Sequence, residues 1–564
     1  MIAPTADTPS KKYGEPETTQ ASYNDLDSLP IENSKRYALC LLALALIFAV
    51  FTRLHHLAIP LERDEGEYAY LAQLILSGEK PYADAATMKL PGTHLAYAFF
   101  MKAFGENEQG IRFGLIIIDT LNILLVYALC RRFLPSVQSS LASNIYAVLS
   151  ISPAVFGMAA HASHFINTPV LGGMLLLSAP FASHGKGNIL RVCTAGLLFG
   201  LAFIMKQHGL IFGLVGLALL AFEIRRVSPT PRLACVHIIA FLFSLLLPYL
   251  SVCYWMFSRD VFFDFWFWTC SYSLEYASEV SIAHWPNVFW INFQHVIEFS
   301  YPIWIGAGIG FVFLCTIKNS CLQKRALQCL VIASVLSIMP GGYFRAHYFI
   351  QLLPAVSILL VIGVNSLTNY LGRQLSPLSK IIATGTITLG LMTIGLHGQI
   401  HTLYTEDPHR TVREIYPYNP FAEIREISTY IESNTQPNDR ILVLGSEPQL
   451  YFHTRRRSST KYIYMYPLME QQPFALRMQQ QLAFDIENNP PRFIVFVNSY
   501  GSWMRTPQSH RLIFDWLSTQ SNRYKLLAVA NLGPKSTGWD WVSDTHVPTP
   551  IADRSILLSE RIHN

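Results

Sequence analysis

The sequence predicts a polytopic α-helical membrane protein of about eleven transmembrane helices, with interfacial helices in its first external loop and a C-terminal α/β exported domain. Three observations carry that expectation. Of 564 residues, 51% are hydrophobic and only 14% charged, and a mean hydropathy of +0.29 points to a solvent other than water. Apolar runs of roughly 20 residues, the length that crosses a bilayer, recur as far as residue 398. Beyond it, short amphipathic helices alternate with short β-branched runs, the pattern of a small α/β sheet.

In chain order, residues 1-36 are polar and rich in Pro, Ser, Thr and Glu. They have too little apolar surface to fold and are expected to form a disordered cytoplasmic tail. The first apolar run starts near Tyr37 behind Lys35 and Arg36, too far along for a cleaved signal, so it reads as a retained anchor. A transmembrane domain is expected over 37-398, with spans near 37-55, 110-130, 139-160, 165-182, 190-206, 208-224, 233-257, 298-317, 326-341, 348-366 and 380-398.

Basic residues mark every second connection: Lys35/Arg36, Arg131/Arg132, Lys186/Arg191, Arg225/Arg226/Arg232, Lys318/Lys324/Arg325 and Arg373/Lys380. The positive-inside rule makes these connections, and the N-terminus, cytoplasmic. The extracytoplasmic set is then the loop 56-109, the turn at His161 and His164, the Lys206-Gln207-His208 turn, the aromatic loop 258-297, the Arg345-His347 turn and the domain 399-564. Titratable residues far apart in sequence thereby share one face, where a bundle can gather them around a single cavity.

A net charge of +5, scattered along the chain, excludes a nucleic-acid partner. The nine cysteines show no CxxC spacing and read as inert buried thiols. No dinucleotide or Walker loop is present, so no nucleotide cofactor is expected, although Gly445-Ser446-Glu447-Pro448 ends a strand and is placed to line a crevice. The lack of an Asn-x-Ser/Thr acceptor fits a bacterial chain, hence an inner (plasma) membrane location.

The stretch "RDEGEYAY" (63-70) puts Arg63, Asp64, Glu65 and Glu67 directly after the first apolar helix. Tyr68, Leu71, Leu74 and Ile75 recur at helical spacing behind them, and a second apolar helix follows Pro91-Gly92. By themselves Asp64 and Glu65 read as caps at a helix N-terminus, where the dipole favours carboxylates. The order Asp-Glu-x-x-Tyr-Ala, Ser-Gly-x-x-Pro-Tyr-x-Asp and Lys-x-Pro-Gly, carried by Asp64, Glu65, Tyr68, Tyr82, Asp84, Lys89, Pro91 and Gly92, resembles the first external loop of polyprenyl-phosphate-dependent glycosyltransferases of the GT-C fold. The protein O-mannosyltransferases and lipid A aminoarabinose transferases, glycosyltransferases of the family 39 type, are nearest in pattern. "GLAFIMKQHG" (200-209), "FWFWTCSYSLEYAS" (265-278), "YFRAHYFIQLLPA" (343-355) and "VLGSEPQLYFHTRRRSSTKYIYMYPLM" (443-469) look like later segments of the same family.

The resemblance implies an inverting membrane glycosyltransferase that moves a hexosyl or pentosyl unit from a polyprenyl-phosphate-sugar to a lipid, glycan or protein acceptor of the cell envelope. Such a reaction needs a base for the acceptor hydroxyl and positive charge for the departing phosphate. Asp64 is expected to be the base and Glu65 its partner or a metal ligand. Lys89, Lys206, Arg345 and His347 are expected around the phosphate, with Tyr68, Tyr82, Asp84, Arg112, Gln207 and Tyr343 as further candidates. His161 and His164, spaced i, i+3, admit a divalent metal if their turn is helical. Asp119, mid-span in "LIIIDTLNILL", is read as an interhelical polar contact or a protonated structural Asp. It also motivates the alternative of a flippase or transporter of a lipid-linked saccharide. The aromatic loop is an interfacial belt or a wall of a lipid groove, the exported domain caps the cavity or positions the acceptor, and Arg455-Arg456-Arg457 meets anionic headgroups or water.

Overall fold

The structure, a computed structural model, describes residues 31–181, 186–227, 230–316, 321–520 and 522–562. Residues 1-30 of the expected tail, Lys318 and the side chain of Lys186 lie outside the described residues. The first helix, α1 (Ile31–His55), starts six residues before the expected span, since Ile31 to Arg36 offer no helix breaker. Two shorter helices follow, α2 (Arg63–Leu76) and α3 (Gly92–Phe104), at the places expected for the interfacial pair.

The remaining expected spans are occupied by α4 (Glu108–Cys130), α5 (Ser136–Ser150), α6 (Ala162–Leu177), α7 (Lys186–Met205), α8 (Gly209–Val227), α9 (Pro231–Ser258), α11 (Tyr301–Thr316), α12 (Leu322–Ser337), α13 (Leu353–Leu371) and α14 (Pro377–His397), with α10 (Trp285–Ile297) preceding α11. Six of the described helices are long and apolar enough to cross a membrane, and the α10–α11 pair, bent by 114°, makes up to seven. α5 ends at Ser150, well short of the expected 160. Ser152-Pro153 stops it, and the chain continues in a left-handed turn at Phe156.

From Phe421 the chain forms an α/β unit with a six-stranded sheet, ordered β2-β1-β3-β6-β4-β5. Its strands are β1 (Arg440–Leu444), β2 (Arg457–Ser458), β3 (Phe493–Ser499), β4 (Tyr524–Asn531), β5 (Trp539–Trp541) and β6 (Arg554–Arg561). β1 is parallel to β2 and β3, whereas β6 inserts antiparallel between β3 and β4. Helices at Phe421–Ser433, Ala475–Asn488 and Leu512–Ser518 alternate with these strands, as the amphipathic pattern suggests.

One apolar core runs through the helical bundle, and two others span the seam between the sheet unit and α2, α3 and the aromatic loop. The seam is close. A Cβ on Gly66 of α2 would stand 2.6 Å from Gln449 in the Gln449–Thr454 helix. Arg63 reaches across to Ser446 O at 2.7 Å and Glu447 at 2.8 Å. The Gly445–Pro448 segment therefore forms a joint rather than the ligand crevice expected of it: Glu447 is buried and accepts from Ser502.

Candidate active site

α2 begins with a capping box, in which Glu62 accepts from Glu65 N at 2.8 Å and Glu65 accepts from Glu62 N at 3.3 Å. This fixes the first turn and sends neighbouring carboxylates in different directions. Glu65, fully buried, takes a bidentate contact from Arg112, with Nη2 at 2.9 Å from Oε2, and accepts from Ala160 N at 2.5 Å. It lies away from the cavity that holds Asp64, so the expectation of Glu65 as metal ligand is corrected. Arg112 is likewise committed, to Glu65 and Met158 O, and the phosphate role considered for it is corrected too. A buried guanidinium needs its carboxylate.

Asp64, one turn from Glu67 on the same helix face, lines a cavity of about 440 Å³ beside Lys89, Lys206, Gln207, Arg345 and His347. Lys89 Nζ lies 2.8 Å from Asp64 Oδ1, also contacts Glu67, and sits over the Tyr68 ring at 4.5 Å. Burial works to raise the Asp64 carboxyl, but the Lys89 ammonium together with the His347 and His161 rings outweighs it and holds it well below the usual carboxylate range. For Glu67, which also accepts from Thr87, burial wins and the carboxyl is raised. Tyr82, at positive φ (67°), donates to Lys89 O at 2.9 Å and so braces the lysine from behind.

Lys206 leaves the C-terminal end of α7 with its Nζ 3.8 Å from the Tyr348 ring centroid. Burial pushes it down to about 7. Among the described residues it has no carboxylate partner within ion-pair distance. Arg345 likewise has none and donates to the Tyr276 hydroxyl at 3.0 Å. Gln207 donates to Met88 O at 2.8 Å and ties this turn to the Lys89 loop. Of the expected phosphate group, Lys89 is neutralised by two carboxylates, and Lys206 and Arg345 are the cations turned to the cavity without one.

His161 and His164 part company. His161 is the N-cap of α6, with ψ 147°, so the two rings do not share a helical face. His161 stacks on His347 at 4.2 Å, and its Nδ1 lies 4.0 Å from Asp64 Oδ2, while His347 Nε2 lies 3.8 Å from the same oxygen. Ligand atoms of Asp64, His161 and His347 fall within 4.8 Å of one another. His164 faces inward, with Nδ1 3.9 Å from Asp119. The metal pair expected from spacing is replaced by a triad from three turns. Burial pushes His161 down to about 3 and holds His347 well below its ordinary value. Both rings are therefore neutral with a lone pair to offer. Neither His161 nitrogen has a hydrogen-bond partner, and two imidazoles with one carboxylate suit a zinc-like ion.

Asp119 accepts from Arg53 Nε at 3.0 Å and from Ser150 at 3.2 Å. This interhelical contact has a charged partner that the sequence reading passed over, at the end of α1. Tyr343 stacks on Tyr276 and donates to Glu279 at 2.6 Å. Asp84 closes its own turn by accepting from Lys80 N. Neither borders the cavity. The sequence reading missed Glu67, Tyr464, Tyr466 and Glu470. Tyr464 donates to Asp64 Oδ1 at 3.2 Å, and Glu470, paired with Tyr272, is pushed up to about 7 by burial. The three C-terminal residues make the sheet unit part of the cavity wall. On the opposite wall, a π-helical turn over Phe267–Tyr272 presents Trp268 and Tyr272, while Phe263, Trp266 and Trp290 stay exposed on the outer surface. The aromatic loop is thus a wall of the cavity on one side and exposes large rings on the other.

Residues 88–255 match the sequence family described as dolichyl-phosphate-mannose-protein mannosyltransferase. No curated protein sequence matches the chain. Among solved structures, the chain is similar to ArnT from Cupriavidus metallidurans bound to undecaprenyl phosphate, at 14% identity and a TM-score of 0.57 over 93% of this chain and 98% of that one. It is also similar to the oligosaccharyltransferase AglB from Archaeoglobus fulgidus in complex with an inhibitory peptide and a dolichol-phosphate, at 13% identity and a TM-score of 0.50 over 91% and 75%. A further structure of the Archaeoglobus fulgidus oligosaccharyltransferase, in complex with Zn and sulfate, matches at 12% identity and a TM-score of 0.53 over 89% and 73%. The architecture is that of the GT-C membrane glycosyltransferases.

Proposed function

We propose that this chain, a membrane protein of GT-C fold, moves a sugar from a polyprenyl-phosphate-sugar to a hydroxyl of an exported acceptor, with inversion and with Asp64 as the base. The observation that carries this reading is one cavity holding an ionised carboxylate beside two cations that have no carboxylate of their own, Lys206 and Arg345. The acceptor oxygen attacks the anomeric carbon and its proton passes to Asp64. The carbon–oxygen bond to phosphate breaks, and its electron pair leaves on the phosphate oxygen, where Arg345 and Lys206 meet the charge. Trp268, Leu274 and Ala277 give the cavity an apolar side suited to a lipid chain. Bacterial inner-membrane residence, with the site facing outward, belongs to the same reading.

The unpartnered His161 ring favours a second role for the same group: Asp64 Oδ2, His161 and His347 would hold a divalent ion, which would supply positive charge beside the departing phosphate. Asp64 Oδ1, bonded to Tyr464 and Lys89, remains on the reacting side. The experiment is transfer by purified protein in detergent at saturating donor. Asp64→Asn keeps the shape and removes the basic oxygen, and transfer should fall about 100- to 10,000-fold. Near-normal transfer by a well-folded Asp64→Asn protein would reduce Asp64 to a helix cap. Metal analysis of the same wild-type preparation should find about one divalent ion per chain, lost in His161→Ala; a metal-free, fully active enzyme would rule the ion out.

A further inference from the structure

A second cleft, of about 240 Å³, lies on the far side of the wall that closes the reaction cavity. The wall is built from two segments, 83–89 and 458–466, joined where Ala86 N donates to Lys461 O at 2.8 Å. Thr87, Lys89 and Tyr464 face the reaction cavity, whereas Ala83, Thr460 and Lys461 face the cleft. A group bound in the cleft is therefore separated from Asp64 by a single layer of chain.

The lining of the cleft is unlike that of its neighbour. Three cations, Arg440, Arg457 and Lys461, face three carboxylates, Glu79, Asp84 and Asp485. This balance disfavours a phosphate or a polycation and suits a neutral ligand that both donates and accepts hydrogen bonds. The groups are held in place: Asp485 accepts from Thr460 at 2.9 Å and from Gln481 at 2.7 Å, Arg440 donates to Ser458 O at 2.6 Å, and Arg457 pairs with Glu79 across the seam. The Ser459 hydroxyl, in the same segment, is buried without a hydrogen-bond partner, which a ligand hydroxyl would supply. The volume is below the roughly 300–1,000 Å³ of sites for drug-sized ligands, so the cleft takes a compact polar unit and excludes a lipid tail.

We propose that this cleft is a saccharide subsite that holds a neutral sugar ring of the acceptor while its neighbouring part reaches over the wall to Asp64. The proposal rests on the glycosyl-transfer reading for its role, though not for its binding. The test uses the full chain in detergent and, as probes, methyl α-mannoside, methyl β-glucoside and methyl β-galactoside, followed by saturation-transfer NMR without any donor. At least one probe should bind. Gln481→Trp, which places bulk at the mouth of the cleft from an exposed position, and Asp485→Asn should each weaken it at least tenfold while polyprenyl phosphate affinity stays unchanged. Failure of all three probes to bind, or binding that neither variant alters, would overturn the subsite. Variant-sensitive binding in a protein that transfers no sugar would uphold the subsite and sink the transfer reading instead. In an active enzyme, the same variants should raise the acceptor KM and leave kcat and the donor KM in place.

Discussion

Lys206 shows how one buried charge ties the fold to ligand binding. Its amine is pushed down to about 7 by burial, with Lys89 and Arg345 adding to the effect and Asp64 and Glu67 opposing it, while the Tyr348 ring lies against it. The sign follows from the direction. Above pH 7 the free site holds a neutral amine, which must take up a proton before it can pair with a phosphate. A phosphate monoester completes its own ionisation near pH 6, so it adds little beyond neutrality. Polyprenyl phosphate affinity should therefore fall between pH 7 and 9, by at most about tenfold per unit, and Lys206→Arg should flatten the slope because a guanidinium keeps its proton. A calorimetric or fluorescence titration across that range reads it; an equally steep fall in the arginine variant would assign the slope elsewhere. At this scale the residues Asp64, Lys89, Lys206, Arg345 and His347, which line one cavity, stood out in the sequence by charge beside apolar helices and, for Asp64 and Lys89, by the loop pattern of the resemblance. Glu67 was named in the acidic cluster but given no role, though it stands i, i+3 from Asp64 on one helix. Tyr464 and Tyr466 lay in the family-like stretch 443-469 without a role assigned to them, and Glu470 just beyond it carried no signal, since such residues in an exported segment look like ordinary surface until the seam is seen.

The helices fit together through positions where only a hydrogen stands in place of a side chain. Gly66 faces the backbone N of Gln449 at 2.6 Å from where a Cβ would sit, and that backbone belongs to the start of a helix and cannot swing aside. Gly66→Ala gains about 1 kcal/mol of intrinsic helix stability, whereas overfilling a tight contact costs about 1 to 3 kcal/mol. The contact should win. We expect a lower Tm in detergent and faster proteolysis of the sheet unit. Gly308 of α11, with nothing within 4 Å of an added Cβ, is the matched control, and Gly308→Ala should hold or raise Tm. Equal behaviour of the two variants would remove the seam as the cause. Element types were largely readable from periodicity, yet β2, β5 and β6 were missed. The β6 stretch "RSILLSER" is flanked by charges and follows a run rich in Pro and Asp, and its place between β3 and β4 depends on pairings 55 to 67 residues away in sequence for β3. The end of α5 was also overrun, because an apolar pattern continues past Ser152-Pro153 while the backbone turns.

Across the whole molecule, two helices run from the cavity to a basic end, and a third runs to one from the Arg112–Glu65 pair at the start of α2. α4 carries Arg112, beside Glu65, in its first turns and Arg131 just past its end; α8 starts after Lys206-Gln207-His208 and finishes at Arg225 and Arg226; α13 starts after His347 and is followed by Arg373. At 1.5 Å per residue, the 23 residues of α4 separate the two ends by about 34 Å, which is the thickness of a hydrocarbon core. On the proposed sidedness the site and the basic connections lie on opposite membrane faces, with the basic face in the cytoplasm by the positive-inside rule. The sheet unit, whose Tyr464 bonds to Asp64, shares the face of the site, which the outward orientation proposed above makes the outer one. With the native cysteines replaced, a single cysteine at Thr545, exposed on the sheet unit, should react with an impermeant maleimide in intact cells. One at Arg132, exposed after α4, should react only once the membrane is opened. Labelling of both in intact cells would contradict opposite faces for the two positions, and labelling of the Arg132 position alone would place the reaction where an exported acceptor cannot reach it. The reverse labelling would leave the cavity intact and demand a cytoplasmic acceptor instead.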